Sequence, residues 1–391
     1  LDRHDCLQGA LAEALARDRA ALCLIEADRD RENARLTYGD VRDAVLPLAA
    51  WLAEQEVRRV AIVMTNQSKW HISACAALWI GAELVPLDPK LSAAEQAALL
   101  RHSGADTLVV EHFLWRGLEF DGRALVTEAP ASMDLRHGRR WEECRGESEP
   151  ALVARERSDP ASIVYSSGTG GDPKGCVLTH GNYLDQCAAL MKLYTFAPGD
   201  CYLSILPTNH AIDFMVGFLG PYFCGATVVH LRTLRPEFVR AAFPKYRIAY
   251  MALVPMVLRN LANGLQQKFD ALTGVRAAVF RTLHAIARAC NRTRPRLGLS
   301  RALLGPVHQG FGGRLKALFV GGAFTDPALL EYFRGLGIPV ANGYGLTEAG
   351  TVVTLNDFDD YRPDTVGKPL AGTDVEIRDP DPEGVGEVVV R

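Results

Sequence analysis

Thirteen consecutive residues hold the densest chemistry in this chain: Ile163-Val-Tyr-Ser-Ser-Gly-Thr-Gly-Gly-Asp-Pro-Lys-Gly175. A short apolar run leads into a turn rich in Gly, Ser and Thr, with Lys174 near its end. Glycines let backbone N–H groups turn inward, hydroxyls add donors and a lysine brings positive charge, so such a turn can wrap an oxygen-rich anion. It lacks the G-x-x-x-x-G-K-[ST] spacing of the common NTPase loop and is not a dinucleotide fingerprint. Composition alone leaves a flexible surface turn equally open.

A second run, Asn342-Gly-Tyr-Gly-Leu-Thr-Glu348, gives the first its meaning. Tyr165 to Gly175 resembles the signature loop of the adenylate-forming superfamily, Y-T-S-G-T-T-G-x-P-K-G, and Asn342–Glu348 is similar to another of its signatures. Further matches follow in the right order: Leu36-Thr-Tyr-Gly-Asp40, Gly81-Ala-Glu-Leu-Val-Pro-Leu-Asp-Pro89, Gly321-Gly-Ala323, Val366-Gly-Lys-Pro369 and Gly386-Glu-Val-Val-Val-Arg391. The resemblance covers nearly the whole chain and points to the N-terminal domain of the long-chain fatty acyl-CoA synthetase branch.

That resemblance implies a reaction in which a carboxylate attacks the α-phosphate of ATP and expels pyrophosphate. Two anions repel, so the site must neutralise charge and hold the attack in line. It implies that Ser166, Ser167, Gly168, Thr169, Gly170 and Lys174 hold the β- and γ-phosphates. Glu348 would bind Mg²⁺, with Ser166 as a second ligand, since carboxylate and hydroxyl oxygens suit that hard ion. Tyr344 would stack on adenine, with Gly322, Ala323, Asn342, Gly343 and Gly345 around the base, and Thr347 would hydrogen-bond the α-phosphate. Taken alone, Glu348 reads as an ordinary exposed glutamate at a helix start. The loop departs from the family pattern at Gly170-Gly171, where Thr-Gly is usual, so one hydroxyl is lost.

The segment Leu206-Pro-Thr-Asn-His210-Ala-Ile-Asp213-Phe214 is similar to the family's acyl-pocket motif. The pair His210 and Asp213, three residues apart, could share one helix face. His210 would join Lys174, Thr347 and Glu348 in the catalytic group, positioning the carboxylate or gating a CoA tunnel; the plainer alternative is a packing histidine at a helix start. Phe214, Met215, Val216, Phe218 and Leu219 read either as tunnel wall or as ordinary core. A helical insert at 264–313 also resembles the long-chain branch; short-acid and amino-acid activators usually lack it.

These implications make the chain an acid–thiol ligase with ATP, Mg²⁺ and CoA, acting on a medium- or long-chain fatty acid. A fatty acyl-AMP ligase that delivers to an acyl carrier protein is the nearest alternative, and a non-catalytic nucleotide- or acyl-binding protein is an alternative of another class. The family's ribose-binding aspartate and its lysine-bearing C-terminal domain are not in this sequence. The first residue is Leu1 and the last, Arg391, ends an apolar run, so both ends are expected to be trimmed and this piece to turn over weakly by itself.

The elements that must hold these motifs alternate. Leu7 to Leu24 has helical spacing, Val60–Met64 reads as a buried strand, Trp70–Ile80 as a helix, Leu84–Leu87 as a strand, Ala93–His102 as a helix and Thr107–Val110 as a strand. This rhythm argues for mostly parallel sheets covered by helices. The expected fold is α/β: two doubly wound subdomains, 1–160 and 161–365, and the start of a small β-barrel subdomain at 366–391. A surface connection is expected over 128–159. The 48% hydrophobic content is ample for a buried core.

A net charge of −3 argues against a nucleic-acid binder. The nine cysteines have no C-x-x-C pair and no zinc spacing, so reduced thiols in a cytoplasmic protein are expected. The N-terminus does not read as a signal peptide. Phe214 to Leu231 is the one candidate membrane segment, but Gly220, Pro221 and Gly225 interrupt it; a buried helix followed by a buried strand is the better reading. From Ala271 to Thr325 there are eight Arg, one Lys and no Asp or Glu. That stretch reads as a solvated amphipathic helix with loop or, through 276–301, as a peripheral contact with anionic lipid or CoA phosphates. A homodimer is left open.

Overall fold

The computed structural model of the chain describes residues 1, 3–166, 173–194 and 196–391. It divides into two compact units: Leu1–Met191 with Thr195–Gly199 and Leu206–Arg232, and Lys192–Tyr194 with Asp200–Ile205 and Thr233–Arg391. Each is α/β, with mostly parallel strands flanked by helices.

In the first unit seven strands lie in the order Arg139–Arg140, Arg123–Thr127, Thr107–Glu111, Arg59–Val63, Glu83–Pro86, Pro160–Ser166, Lys174–Thr179. All neighbours are parallel except the last pair, an antiparallel hairpin. Val60, Ala61, Ile62 and Val63 are wholly buried, as are Leu108 and Val110 beside them. Near-continuous apolar runs of this kind are what a parallel sheet covered on both faces requires. The same unit holds Leu22–Asp28, parallel to Thr227–Leu231 and antiparallel to Arg31–Thr37.

One expected family motif proves to be structural. Within Leu36–Asp40 the Thr37 hydroxyl accepts from the Asp40 N–H (3.1 Å), while the Asp40 carboxylate accepts from the Thr37 N–H (2.8 Å). This capping box starts the helix Tyr38–Glu54. Gly39 is needed because a Cβ there would lie 2.8 Å from the Arg19 carbonyl oxygen.

In the second unit the strands run Lys368–Pro369, Thr354–Leu355, Val340–Tyr344, Ala317–Val320, Tyr250–Leu253, Cys201–Ser204. The last four are mutually parallel; the first two join antiparallel. Among the described residues six α-helices, including Pro255–Asp270, Gly274–Cys290 and Pro327–Gly335, belong to this unit. A separate antiparallel pair, Val375–Arg378 with Glu387–Val390, closes the described chain.

Two local expectations change. The helix expected over Leu7–Leu24 ends at Arg17, and Leu22–Asp28 is a strand. Asp18 turns the chain by accepting from the N–H groups of Ala20 and Ala21, and ladder pairing with Thr227–Leu231 outweighs the helical spacing. The apolar run after Phe214 is a buried helix then a buried strand, but residues Phe214–Leu219 form a π-helix. Among the described residues no helix is long and apolar enough to cross a membrane.

Candidate functional site

The first candidate group sits on the hairpin Pro160–Ser166 and Lys174–Thr179. Its described ladder ends with Ser166 opposite Lys174, so the two residues face each other at that end. Lys174 is exposed and Ser166 half-buried. Ser167, Gly168, Thr169 and Gly170 lie outside the described residues. The hairpin's base is anchored at two points: the Ser162 hydroxyl bonds the hydroxyl of buried Tyr183 (2.7 Å), and Tyr165 OH meets His102 Nδ1 (2.7 Å). Burial pushes the Tyr165 phenol above its ordinary pKa, so it stays neutral. Gly175 lies against Ile163, whose Cγ2 would be 3.0 Å from an added Cβ.

The acyl-pocket motif belongs to the same unit. His210 is exposed and precedes the short helix Ala211–Asp213. Asp213 is wholly buried, and its carboxylate accepts from the Thr208 hydroxyl (3.1 Å) rather than pairing with His210. A Cβ on Gly217 would lie 2.5 Å from that carboxylate, so the π-helical turn needs glycine there. Phe214 and Phe218 pack edge-on against Trp70 (centroids 5.9 and 5.7 Å), and Phe218 also meets His71 (4.8 Å). Phe214, Met215, Phe218 and Leu219 are all buried, each 1% exposed or less.

What holds the motif in place was not legible in the sequence. Asn66 donates from Nδ2 to the Leu206 carbonyl (2.5 Å) and accepts at Oδ1 from the Thr208 N–H (2.9 Å). The Thr65–Ser68 segment is itself fixed by two buried carboxylates. Glu111 accepts from the Thr65 N–H (2.9 Å) and from Gln67 (2.5 Å); Glu26 accepts from the Ser68 N–H and hydroxyl (both 3.0 Å). Arg232 lies 3.2 Å from Glu26 and 3.6 Å from Glu111, and also pairs with Glu128. Burial opposes ionisation of Glu26, but the Ser68 donors and Arg232 hold its pKa below the ordinary value. At Glu111 burial wins over Thr65 and Arg232, and the pKa rises. Carboxylates bonded to backbone N–H groups are strong clamps. These residues lie up to 206 positions apart, so no local pattern links them.

The remaining candidate residues belong to the second unit. The parallel neighbours Ala317–Val320 and Val340–Tyr344 pair Val320 with Asn342, so Gly321–Ala323 leaves one strand end beside Asn342–Tyr344 at the other. Strand carboxyl ends are where α/β sheets bind ligands. A Cβ on Gly321 would stand 3.0 Å from the Gly343 carbonyl oxygen, so the two backbones are close. Gly322 (φ +79°) turns the chain outward into open space, and Ala323 is exposed. Asn342 is 6% exposed, and its Nδ2 donates to the Thr365 carbonyl (3.1 Å). Tyr344 is half-buried.

Beyond Tyr344 the backbone folds tightly on itself. A Cβ on Gly345 would fall 1.7 Å from the Thr351 carbonyl oxygen. The N–H groups of Ala349 and Thr351 both donate to the Leu346 carbonyl (3.1 Å each). Thr351 has φ +117°, a strained value for a β-branched residue. The turn sets Thr347 and Glu348 on a short 3₁₀ helix, with Thr347 half-buried and Glu348 exposed. An accessible carboxylate is a fitting donor for Mg²⁺, which commonly takes one or two carboxylates together with substrate phosphates. Among the described residues no group of three or more His, Cys, Asp and Glu could hold a metal by itself.

Comparison with known proteins identifies the family of the chain. Residues 11–391 match the family described as AMP-binding enzyme. The chain is 27% identical over 379 residues to the long-chain-fatty-acid–CoA ligase FadD15 of Mycobacterium bovis, covering 90% of this chain and 60% of the relative. It is 26% identical over 416 residues to the chloroplastic long-chain-fatty-acid–[acyl-carrier-protein] ligase AEE15 of Arabidopsis thaliana, covering 90% and 57%. The chain thus spans about three-fifths of the length of these curated relatives. In fold it superposes on o-succinylbenzoate CoA synthetase from Bacillus subtilis, solved with ATP and magnesium ion, at a TM-score of 0.70 and 19% identity, covering 98% of this chain and 70% of that one.

Proposed function

The chain belongs to the AMP-binding enzyme family, and on that footing we propose that it activates a medium- or long-chain fatty acid with ATP, forming an acyl-adenylate and pyrophosphate ahead of thioester formation with CoA. The observation that carries this reading is the second unit's paired strand ends, where Gly321–Ala323 and Asn342–Thr347 meet as a partly exposed, glycine-shaped cradle next to the accessible carboxylate of Glu348. Both curated relatives are named for long-chain fatty acids, which supports that substrate class.

In this reading the cradle takes the adenine, with Tyr344 against its face, Gly322, Ala323, Asn342, Gly343 and Gly345 around it, and Thr347 donating to the α-phosphate. Lys174 and the Ser166–Gly170 donors offset the charge on the β- and γ-phosphates. Two anions must approach for the acid to reach phosphorus, and fixed donors of this kind lower that barrier without reorganising. Glu348 would supply a ligand to Mg²⁺, which when bound neutralises phosphate charge. His210, exposed at the start of its helix, positions the carboxylate of the acid; Asn66 fixes the loop that carries it. The protein acts in the cytoplasm, with a peripheral membrane contact through 276–301.

Delivery to an acyl carrier protein is the second reading, favoured by the likeness to a carrier-protein ligase. Trapping with hydroxylamine separates the alternatives. Fatty-acid-dependent pyrophosphate release and hydroxamate formation are expected without an acceptor, with thioester formed on adding CoA. Hydroxamate without CoA thioester, but with transfer to a carrier protein, would favour the second reading. Binding of ATP without acid-dependent pyrophosphate would overturn both.

A further inference from the structure

Helix Gly274–Cys290 meets the rest of the protein along one face only. Ala287 is its one buried residue, and Phe280, Leu283 and His284 are half-buried on the same side; the Phe280 ring tilts against Phe269 at 4.3 Å between centroids. The solvent side is not uniformly polar. Val275, Val279 and Ile286 are 80%, 51% and 44% exposed. With exposed Thr282 they recur at helical spacing and form one stripe. Exposed Ala278, Ala285 and Ala289 widen the stripe on one side into an apolar band; Arg281 and Arg288, both exposed, run along the far edge of those alanines, and Arg292 and Arg296 are exposed just past the helix end.

Single exposed apolar residues need no explanation, whereas a continuous stripe edged by cations does. A solvated helix would carry polar residues where this one carries three β-branched ones. A second copy set against the same face would bring arginines to arginines, since no Asp or Glu occurs between Ala271 and Thr325. A nucleic acid would take the arginines and leave the stripe in water. An interface of apolar chains beneath anionic headgroups satisfies both features at once.

We propose that the outer face of Gly274–Cys290 docks on an anionic lipid surface, the stripe entering the headgroup boundary and Arg281 and Arg288 meeting lipid phosphates. This deepens the peripheral contact named above and rests on that reading for its purpose, but its test needs no turnover.

The test is co-sedimentation with phosphatidylcholine vesicles, with and without phosphatidylglycerol. The chain is expected to bind only the anionic vesicles and to be released by salt. Reversing charge in Arg281→Glu/Arg288→Glu should weaken binding at least about 25-fold, following roughly fivefold per surface arginine. Val279→Ser/Ile286→Ser should weaken it about tenfold or more. These positions are exposed, so unchanged circular dichroism and thermal melting are expected in both variants. Equal binding to neutral vesicles, full binding by the charge-reversed variant, or a dimer that the serine variant dissolves would overturn the proposal. Acid-dependent pyrophosphate release measured without vesicles tests the catalytic reading separately.

Discussion

The turn from Gly343 to Val352 and the loop from Leu206 to Gly217 both carry residues of the proposed site, yet they are held by opposite means. The first is fixed by its own backbone. Gly343 and Gly345 sit where neighbours leave no space for a side chain, with Thr354 and Leu355 against one and Thr351 against the other. Local N–H groups close the rest. The second is fixed from outside, by Asn66 reaching the backbone of Leu206 and Thr208 and by carboxylates that hold the Asn66 segment. A backbone-packed turn tolerates no added atom. A side-chain-clamped loop tolerates small changes and weakens by degrees.

The sharpest way to break this contrast is Gly345→Ala. One methyl must displace the Thr351 carbonyl, so a stability loss of about 3 kcal/mol is expected from overpacking, with adenylate formation down about 100-fold from misplacing Thr347 and Glu348. Urea unfolding and a pyrophosphate-release assay measure the two. Wild-type behaviour in both would mean the turn is not held by its own packing.

Asn66→Ala should act more mildly. It removes two hydrogen bonds to backbone groups, worth about 2 kcal/mol together, and should raise KM for the fatty acid while leaving KM for ATP unchanged. An equal rise in both would show that Asn66 serves the fold rather than the loop.

The smallest effect is one of slope. His230 and His71 are 4.6 Å apart between centroids, and His71 packs on Phe218. Burial is the main cause that lowers both; for His230, Glu26 opposes it and Arg232 adds to it, leaving a value of about 4. A histidine whose folded value is depressed stays neutral while the unfolded chain takes up a proton, so stability is intact above about 6.5 and falls as pH drops toward 4. Neither ring nitrogen of His230 has a partner among the described residues, so His230→Leu loses no hydrogen bond. It should flatten that slope by up to about 1.4 kcal/mol per pH unit. Parallel slopes for variant and parent between pH 7 and pH 5 would exclude His230 from the acid response.

Much of the fold was legible because its signals are local. The buried strands at 59–63 and 107–111 announce themselves as apolar runs, and helix Ala93–Ser103 opens with the Ser92–Glu95 box that its sequence spells out. Leu22–Asp28 was missed because helical spacing continues into it, and pairing with Arg31–Thr37 and with a strand some two hundred residues later decides its form. The π-helix at Phe214–Leu219 was missed for a similar reason: apolar spacing does not record the close approach of the buried Asp213 carboxylate to Gly217.

The motif residues themselves, Lys174, His210, Asn342 and Thr347–Glu348, stand plainly in the linear chain, because residue type and spacing limit what chemistry a segment can do. Which partners hold them does not. The expected His210–Asp213 pair is replaced by Asp213 on Thr208, and Glu26, Glu111, Glu128 and Arg232 gather from four distant segments. Spacing records only neighbours along the chain. Buried charge must find its counter-charge wherever folding brings it, so that choice belongs to the tertiary structure.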